Sequence, residues 1–388
     1  MAEHIPFITG DDAARLVSRI YPDSEFVRVP LERAERLIPK VPASSKLWID
    51  PCVDGMDNTE TRSERPWFDF VRAFPNFEKV REAKFQSKPV PATVSVFVAA
   101  IMEMAARLKP AWITVPQLPF SKGAERNKFN RELATAAGQW KSRSSFKGCL
   151  ILPLVFTHQA QVNGKTERNP KLEQARRCYD ASGADGFWVV DKSLSDDSGS
   201  RTLRNTRFPG LVSLHEELNE CIPSAIRIAG PYWALNLVLW ARGLVDYPAI
   251  GVGSGYQYYL SGGHASVASA RVALPSLRRR AGVGRLRPWL DKAIAGLAPP
   301  HVFRAELVQI RTQLTTLNQT ERAREQVATF YKSWFDSIAS QPPAGRSLAL
   351  FQDLSAAYAL GRSLPELDED GTARRPESVA ESLMTSCL

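Results

Sequence analysis

The chain has 388 residues, of which 44% are hydrophobic and 23% are charged, and it contains nine tryptophans and eighteen phenylalanines. This composition excludes a disordered chain and favours a globular protein with a large core. A net charge of +9 favours encounters with nucleic acid or with anionic metabolites.

The cysteines exclude a disulfide framework and a structural zinc site, because they are widely spaced and form no C-x-x-C motif. They are Cys52, Cys149, Cys178, Cys221 and Cys387. The N-terminal stretch MAEHIPFITGDDAARL has no apolar segment of the signal-peptide kind, and no run approaches the length of a membrane span. We therefore expect a cytoplasmic protein with no membrane partner.

Short apolar runs rich in β-branched and aromatic residues alternate with segments of helical periodicity, which predicts parallel βα units. The predicted strands are 25–30, 46–50, 111–116, 149–156, 186–191, 225–230, 249–253 and 270–275. Several are almost continuously hydrophobic, as is typical of strands covered on both faces. The pattern predicts an α/β fold, a TIM-like (β/α)8 barrel with a C-terminal helical extension. A doubly wound open α/β sheet is the alternative.

Strand patterns cease after about residue 285, and amphipathic helical segments follow them. We therefore predict a barrel over residues 1–285, with a long insertion at about 51–110, and a helical annex over residues 286–388.

Catalytic residues of TIM barrels lie at the carboxyl ends of the strands. The strand-end residues Asp50 and Asp191 are candidates for a nucleophile or for acid and base roles. His158 follows a strong core strand and is the candidate general base among the histidines. Turn-forming aspartates and a structural histidine are the alternative interpretations.

Other polar and aromatic residues near strand ends are candidates for substrate binding. Gln117 lies between two prolines, and its amide could recognise the edge of a base. The remaining candidates are Gln159, Gln161, Arg227, Gly230, Tyr232 and Trp233. The two aromatic residues could stack on a base or sugar, although core packing is the commoner role of tryptophan.

The stretch AIGVGSGY follows an apolar strand and brings together Gly251, Gly253, Gly255 and Tyr256. Bare backbone at this place in a barrel often binds phosphate. The spacing fits neither a Walker A motif nor a dinucleotide fingerprint. A generic anion cradle is one interpretation, and a tight turn beside core tyrosines is the other.

The stretch from Arg271 to Arg287 contains six arginines and no acidic residue. Arg271, Arg278, Arg279 and Arg280 are therefore candidates for binding phosphate or nucleic acid. A solvated helix start is the alternative interpretation.

These features together favour an enzyme that acts on the glycosidic bond of a nucleotide or nucleic acid, by base exchange or hydrolysis. In general architecture the chain resembles the tRNA-guanine transglycosylase barrels. It lacks the cysteine-rich zinc motif of that family, and no stretch matches the family signature. We expect no cofactor and no resident metal for this activity.

Two other functions fit the same residues. One is a metal-dependent hydrolase or lyase for a small phosphorylated substrate, with Asp50, His158 and Asp191 as ligands of a divalent metal. The other is a catalytically silent barrel that binds nucleic acid, or that binds a partner protein through its C-terminal helices.

Overall fold

A computed structural model describes residues 4–57, 66–83, 91–120, 123–157, 160–163, 165–192, 194, 207–252, 270–369 and 372–387. The chain divides into two compact units. The barrel unit takes its described residues from Met1–Leu194, Ser213–Tyr232 and Leu244–Ala265. The helical unit takes its described residues from Ser195–Val212, Trp233–Gly243 and Ser266–Leu388.

Eight parallel strands form a closed barrel in which each strand pairs with the next and the first pairs with the eighth. The strands are β1 Ile5–Phe7, β2 Phe26–Pro30, β3 Lys46–Asp50, β4 Trp112–Thr114, β5 Cys149–Phe156, β6 Gly186–Asp191, β7 Ile226–Ala229 and β8 Tyr247–Gly251. The predicted (β/α)8 barrel is therefore confirmed, and the open sheet is excluded.

Helices alternate with these strands along the chain. They are α1 Asp11–Ile20, α2 Ala34–Leu37, α3 Pro66–Arg72, α4 Phe77–Ala83, α5 Pro91–Arg107, α6 Ala124–Arg143, α7 Ala160–Asn163, α8 Lys165–Ser182 and α9 Phe208–Cys221. The predicted insertion at about 51–110 contains α3, α4 and α5. Within the described parts of the chain, no helix combines the length and the apolar character that crossing a membrane requires.

The identity of the barrel strands differs from the sequence prediction at both ends of the series. Ile5–Phe7 is the first barrel strand and was not predicted. The predicted strand at 270–275 corresponds to β9, Arg271–Leu274, which pairs antiparallel with β10, Arg279–Gly282, in a separate two-stranded sheet. The glycine-rich stretch therefore follows the eighth barrel strand, not the seventh.

Large aromatic side chains fill the barrel interior. The rings of Trp48 and Trp188 meet edge to face with centroids 5.3 Å apart, and Phe26 stacks on Trp112 at 3.7 Å. Ile151, Val190, Ile228 and Ala249 belong to the same buried cluster. Because the interior is packed, polar chemistry is confined to the ends of the barrel.

The helical unit combines the β9–β10 hairpin with α10 Leu235–Ala241, α11 Leu286–Gly296, α12 Val302–Leu317, α13 Thr320–Ala339, α14 Arg346–Arg362 and α15 Ser378–Cys387. It also contains a second short hairpin, β11 Leu367–Glu369 with β12 Thr372–Arg374. Val272 and Leu274 of β9 share a core cluster with Trp289 of α11 and Phe303 of α12. This unit therefore has its own hydrophobic core.

Candidate active site

All eight barrel strands run in the same direction, so their carboxyl ends share one rim. We call these ends, and the residues directly after them, the barrel mouth. Asp50 is the last residue of β3, Asp191 the last of β6 and Gly251 the last of β8. Three of the residues singled out in the sequence therefore lie on the same rim.

Asp50 forms a buried ion pair with Arg28 of β2. Arg28 Nε donates to Asp50 Oδ2 at 3.0 Å, and Arg28 Nη2 donates to the same oxygen. The two side chains are only 5% and 3% exposed. The guanidinium also lies 4.8 Å from the ring centroid of Phe7 and 5.6 Å from that of Trp188. Aromatic faces and a carboxylate together compensate the buried positive charge.

The backbone after Asp50 is held in an unusual conformation. Cys52 has a φ of 58°, which a residue with a side chain adopts at a cost of roughly 1 kcal/mol or more. Its N–H donates to Asp50 Oδ1 at 2.8 Å, and Arg28 Nη2 contacts its Sγ at 3.4 Å. Both carboxylate oxygens of Asp50 therefore have donors, and the side chain is fixed in orientation.

Glu32 adds a second carboxyl group two residues beyond the end of β2. Its Oε1 lies 2.8 Å from Arg33 Nε, and its side chain is 10% exposed. Burial raises the pKa of Glu32, while the charges of Arg33 and Arg28 oppose that shift in part. The charge of Arg28 therefore acts on both carboxyl groups, Asp50 and Glu32.

Arg28 and Glu32 were not predicted as site residues from the sequence. The sequence contains a pattern that could have identified Arg28, since residues at alternate positions of a strand share a face. In FVRVP that rule places Arg28 on the same face as Phe26. A charged residue facing a barrel interior requires a partner, and Asp50 on the neighbouring strand supplies one. No comparable pattern distinguishes Glu32.

A small cavity at the mouth lies beside Asp50. Asp54, Thr114, Gln117 and Trp188 also line it, and its volume is ≈ 10 Å³. That is about the space needed for one water molecule. The hydroxyl of Thr114 accepts a hydrogen bond from Trp48 Nε1 at 2.9 Å. The described part of the mouth is therefore narrow, with polar groups on one side.

Gln117 lines this cavity and is anchored at its amide nitrogen. Its Nε2 donates to the backbone oxygens of Pro116 and Asn130 at 2.9 and 2.8 Å. Its Oε1 is buried and has no hydrogen-bond partner among the described residues. The oxygen is thus an available acceptor, whereas the donors are already engaged.

Asp191 lies on the other side of the mouth. Trp188 and Val190 of β6 belong to the interior cluster, so strand alternation places Asp191 on the opposite face of the strand. Its backbone N–H donates to the hydroxyl of Tyr232 at 2.6 Å. Gly230 accepts a hydrogen bond from Trp188 Nε1 at 2.6 Å. The structure therefore groups Asp191 with Tyr232 and Gly230, and groups Asp50 with Arg28.

Two predicted binding residues lie away from the mouth. Arg227 is near the start of β7, at the amino-terminal end of the barrel, and donates to Asp246 through Nη2 at 2.5 Å. Trp233 belongs to the helical unit, where its ring lies 5.4 Å from that of Tyr331. Its Nε1 donates to the backbone oxygen of Arg278.

The four arginines of the basic stretch lie in the β9–β10 hairpin. The interpretation of this stretch as a solvated helix start is therefore wrong. Arg278 makes two hydrogen bonds to Asp353, at 2.7 and 2.5 Å. Arg279 is fully buried and donates to the backbone oxygens of residues 375 and 376. Arg280 lies over the ring of Trp233 at 5.1 Å, and Arg271 begins β9. These contacts are internal to the helical unit.

Several predicted site residues lie outside the described part of the chain. They are His158, Gln159, Gly253, Gly255 and Tyr256, together with the side chain of Gln161. Among the residues that are described, no three His, Cys, Asp or Glu side chains are grouped to hold a metal ion.

The fold and the barrel mouth define the class of the protein. It is a (β/α)8 barrel with a buried arginine–carboxylate pair at the carboxyl ends of its strands. In comparisons with known proteins, the chain matches no protein-family model and no curated protein.

Proposed function

We propose that the barrel unit is an enzyme that acts on the glycosidic bond of a nucleotide or nucleic acid. The observation that carries this proposal is the pair of carboxyl groups, Asp50 and Glu32, in different environments around Arg28. Asp50 is held in a buried ion pair with Arg28, whereas Glu32, which contacts Arg33, has a pKa that burial raises. Enzymes that cleave glycosidic bonds use a charged carboxylate together with a protonated one.

The proposed roles follow from these environments. Asp50 faces the anomeric carbon and stabilises the positive charge that develops as the glycosidic bond breaks, or attacks that carbon directly. Glu32 donates its proton to the departing base, and a water or a second base then completes hydrolysis or exchange. Arg28 keeps the Asp50 carboxylate in position. Asp191 lies on the opposite face of β6 from the interior residues, so it takes no part in this proposed step.

The substrate class is proposed on two grounds. Gln117 Oε1 lines the cavity beside Asp50 and accepts no hydrogen bond from the described residues, so it suits an amino or ring N–H group of a base. The net charge of +9 favours approach of a phosphorylated substrate. Binding to tRNA or single-stranded DNA is expected to weaken steeply as salt concentration rises.

Release of free base from nucleosides, nucleotides, tRNA and single-stranded DNA, measured by chromatography, tests the proposal. We expect Glu32→Gln to lower kcat/KM by about 10²- to 10⁴-fold, because it removes the proton donor. In the unmodified protein, kcat/KM should fall as the pH rises through the pKa of Glu32, which lies above the ordinary 4.5. Glu32→Gln should abolish that pH dependence.

Glu35→Gln is the matched control, because Glu35 is an exposed residue of α2 three positions away. Its activity and pH profile should equal those of the unmodified protein. Absence of base release from every substrate, or equal loss in the two variants, would reject the proposal.

A second candidate is a barrel without catalysis that serves as a binding subunit. It is favoured by the packed interior and by a cavity of only ≈ 10 Å³ beside Asp50. This function predicts no turnover, and unchanged nucleic-acid or partner binding in an Asp50→Asn, Asp191→Asn double variant. The metal-dependent alternative predicts a bound divalent metal by elemental analysis and activity lost on chelation.

A further inference from the structure

A large groove lies on the outside of the barrel unit, between helices α5 and α6. The segment at 144–148 also lines it, and its volume is ≈ 860 Å³. Small-molecule sites in proteins typically measure about 300–1,000 Å³. Pro110 and Gly148, which line the groove, precede strands β4 and β5, so the groove is at the amino-terminal end of the barrel. It is therefore separate from the mouth.

The groove carries an excess of positive charge. Arg107, Lys109, Arg143 and Lys147 line it, and Glu103 is its one acidic residue. None of the four cations forms an ion pair or side-chain hydrogen bond within the described parts of the chain. By contrast, Lys141 on the same helix as Arg143 is bound to Asp185 at 2.6 Å.

Helix ends alone do not account for these charges. Arg107 and Arg143 are the last residues of α5 and α6, where a cation offsets the negative end of the helix dipole. Lys109 and Lys147 lie beyond those helices. Four cations against one carboxylate leave the groove with a net charge of about +3, which favours an anionic occupant.

An aromatic pair provides the apolar part of the groove. Trp140 and Phe146 both line it, with ring centroids 5.7 Å apart. Trp140 is 7% exposed, and its Nε1 is a buried donor with no partner among the described residues. A Cβ at Gly148 would collide with the Phe146 ring and the backbone oxygen of Ala111. Glycine at that position thus allows the close packing that holds Phe146 at the groove.

We propose that this groove binds a free nucleotide, with its phosphates on the four cations and its base against Phe146. An organic anion with a flat ring uses both the unpaired charges and the aromatic surface, and its size matches the groove. The proposal does not depend on the function of the mouth.

Calorimetric titration of the full chain with ATP, GTP, CTP and UTP, each in turn, tests the proposal. We expect a site at which at least one nucleotide binds more tightly than inorganic triphosphate or the matching nucleoside, and the groove variants distinguish it from any binding at the mouth. Arg143→Ala and Lys147→Ala should each weaken binding of that nucleotide by at least 10-fold. Phe146→Ala should weaken nucleotide binding while leaving triphosphate binding unchanged.

Arg131→Ala is the matched control, since Arg131 is an exposed cation on α6 that does not line the groove. Arg131→Ala should therefore leave nucleotide affinity unchanged. All these changes except Phe146→Ala are at exposed or half-buried polar positions, and thermal unfolding confirms that each variant is folded.

The proposal is overturned if no nucleotide binds at millimolar concentration, or if Arg131→Ala weakens binding as much as Arg143→Ala does. It is also overturned if inorganic triphosphate binds as tightly as the nucleotide. Displacement of the nucleotide by a ten-residue glutamate peptide at lower concentration would instead assign the groove to an acidic partner segment.

Discussion

At the scale of single residues, Arg28 and Asp50 dominate the energetics of the mouth. Transfer of both charges out of water is costly, and the ion pair and the rings of Phe7 and Trp188 offset that cost. Removing one partner leaves the other buried without its counter-charge. The free energy of unfolding should therefore fall more when one charge of the pair is removed than when both are replaced by apolar side chains.

We expect Asp50→Asn to lower the free energy of unfolding by about 3–5 kcal/mol, as for other broken buried pairs. An Arg28→Met, Asp50→Leu double variant should lose less than Asp50→Asn alone. Urea unfolding followed by circular dichroism measures both.

Lys332 and Asp336 form an exposed pair on α13 and provide the control. Asp336→Asn should change the free energy of unfolding by less than about 1 kcal/mol. Equal effects of Asp50→Asn and Asp336→Asn would show that the Arg28–Asp50 pair is not buried in solution.

At the scale of elements, the sequence predicts a strand when the strand is long and almost wholly apolar. β5, with the sequence CLILPLVF, and β6, with GFWVVD, were predicted at their observed positions. β1 has three residues within the short apolar run IPFI, whereas β4, which also has three residues, lies within the longer run AWITVP and was predicted. A strand pattern also does not identify the pairing partner, which is why Arg271–Leu274 was assigned to the barrel.

The same limits apply to the candidate site. Asp50 and Asp191 were found because strand ends can be located from apolar runs. The pairing of Arg28 with Asp50 depends on strand register, since Pro30 lies opposite Asp50 and Arg28 opposite Trp48. A one-residue change of register would reverse which side chains face the interior. The arginines of the β9–β10 hairpin were predicted to bind phosphate or to begin a solvated helix, because composition does not report the tertiary contacts they make.

β1 has only three residues, yet it closes the barrel by pairing with both β2 and β8. Its Phe7 packs edge to face on Trp48 and Trp188, with centroids 5.4 and 5.3 Å away. We expect Phe7→Ala to lower the free energy of unfolding by about 3–5 kcal/mol, because it leaves a cavity among these rings. Urea unfolding of Leu348→Ala, at a position 57% exposed on α14, should show a change near zero. A similarly small change for Phe7→Ala would mean that β1 does not close the barrel.

At the scale of the whole molecule, the barrel unit and the helical unit have separate hydrophobic cores. Unfolding therefore need not be a single transition, and each variant is best compared through the transition that reports its own unit. One buried histidine in the barrel unit should make the unfolding free energy of that unit depend on pH. His215 of α9 is fully buried, and neither ring nitrogen has a hydrogen-bond partner among the described residues.

Burial, together with the charge of Arg227, lowers the pKa of His215 from 6.5 to about 3. Between these values the unfolded chain binds a proton at His215 and the folded chain does not. The free energy of unfolding of the barrel should therefore fall by about 1.4 kcal/mol per pH unit as the pH drops below 6.5. That stability contribution is fully present above pH 6.5.

Urea unfolding at pH 7, 6 and 5 separates this effect from those of other titrating groups. His215→Leu should show a shallower decline than the unmodified protein, by the slope that His215 contributes. If the curves of His215→Leu and the unmodified protein run parallel, then His215 takes up its proton in the folded barrel as readily as in the unfolded chain, and the burial of its ring is relieved in solution.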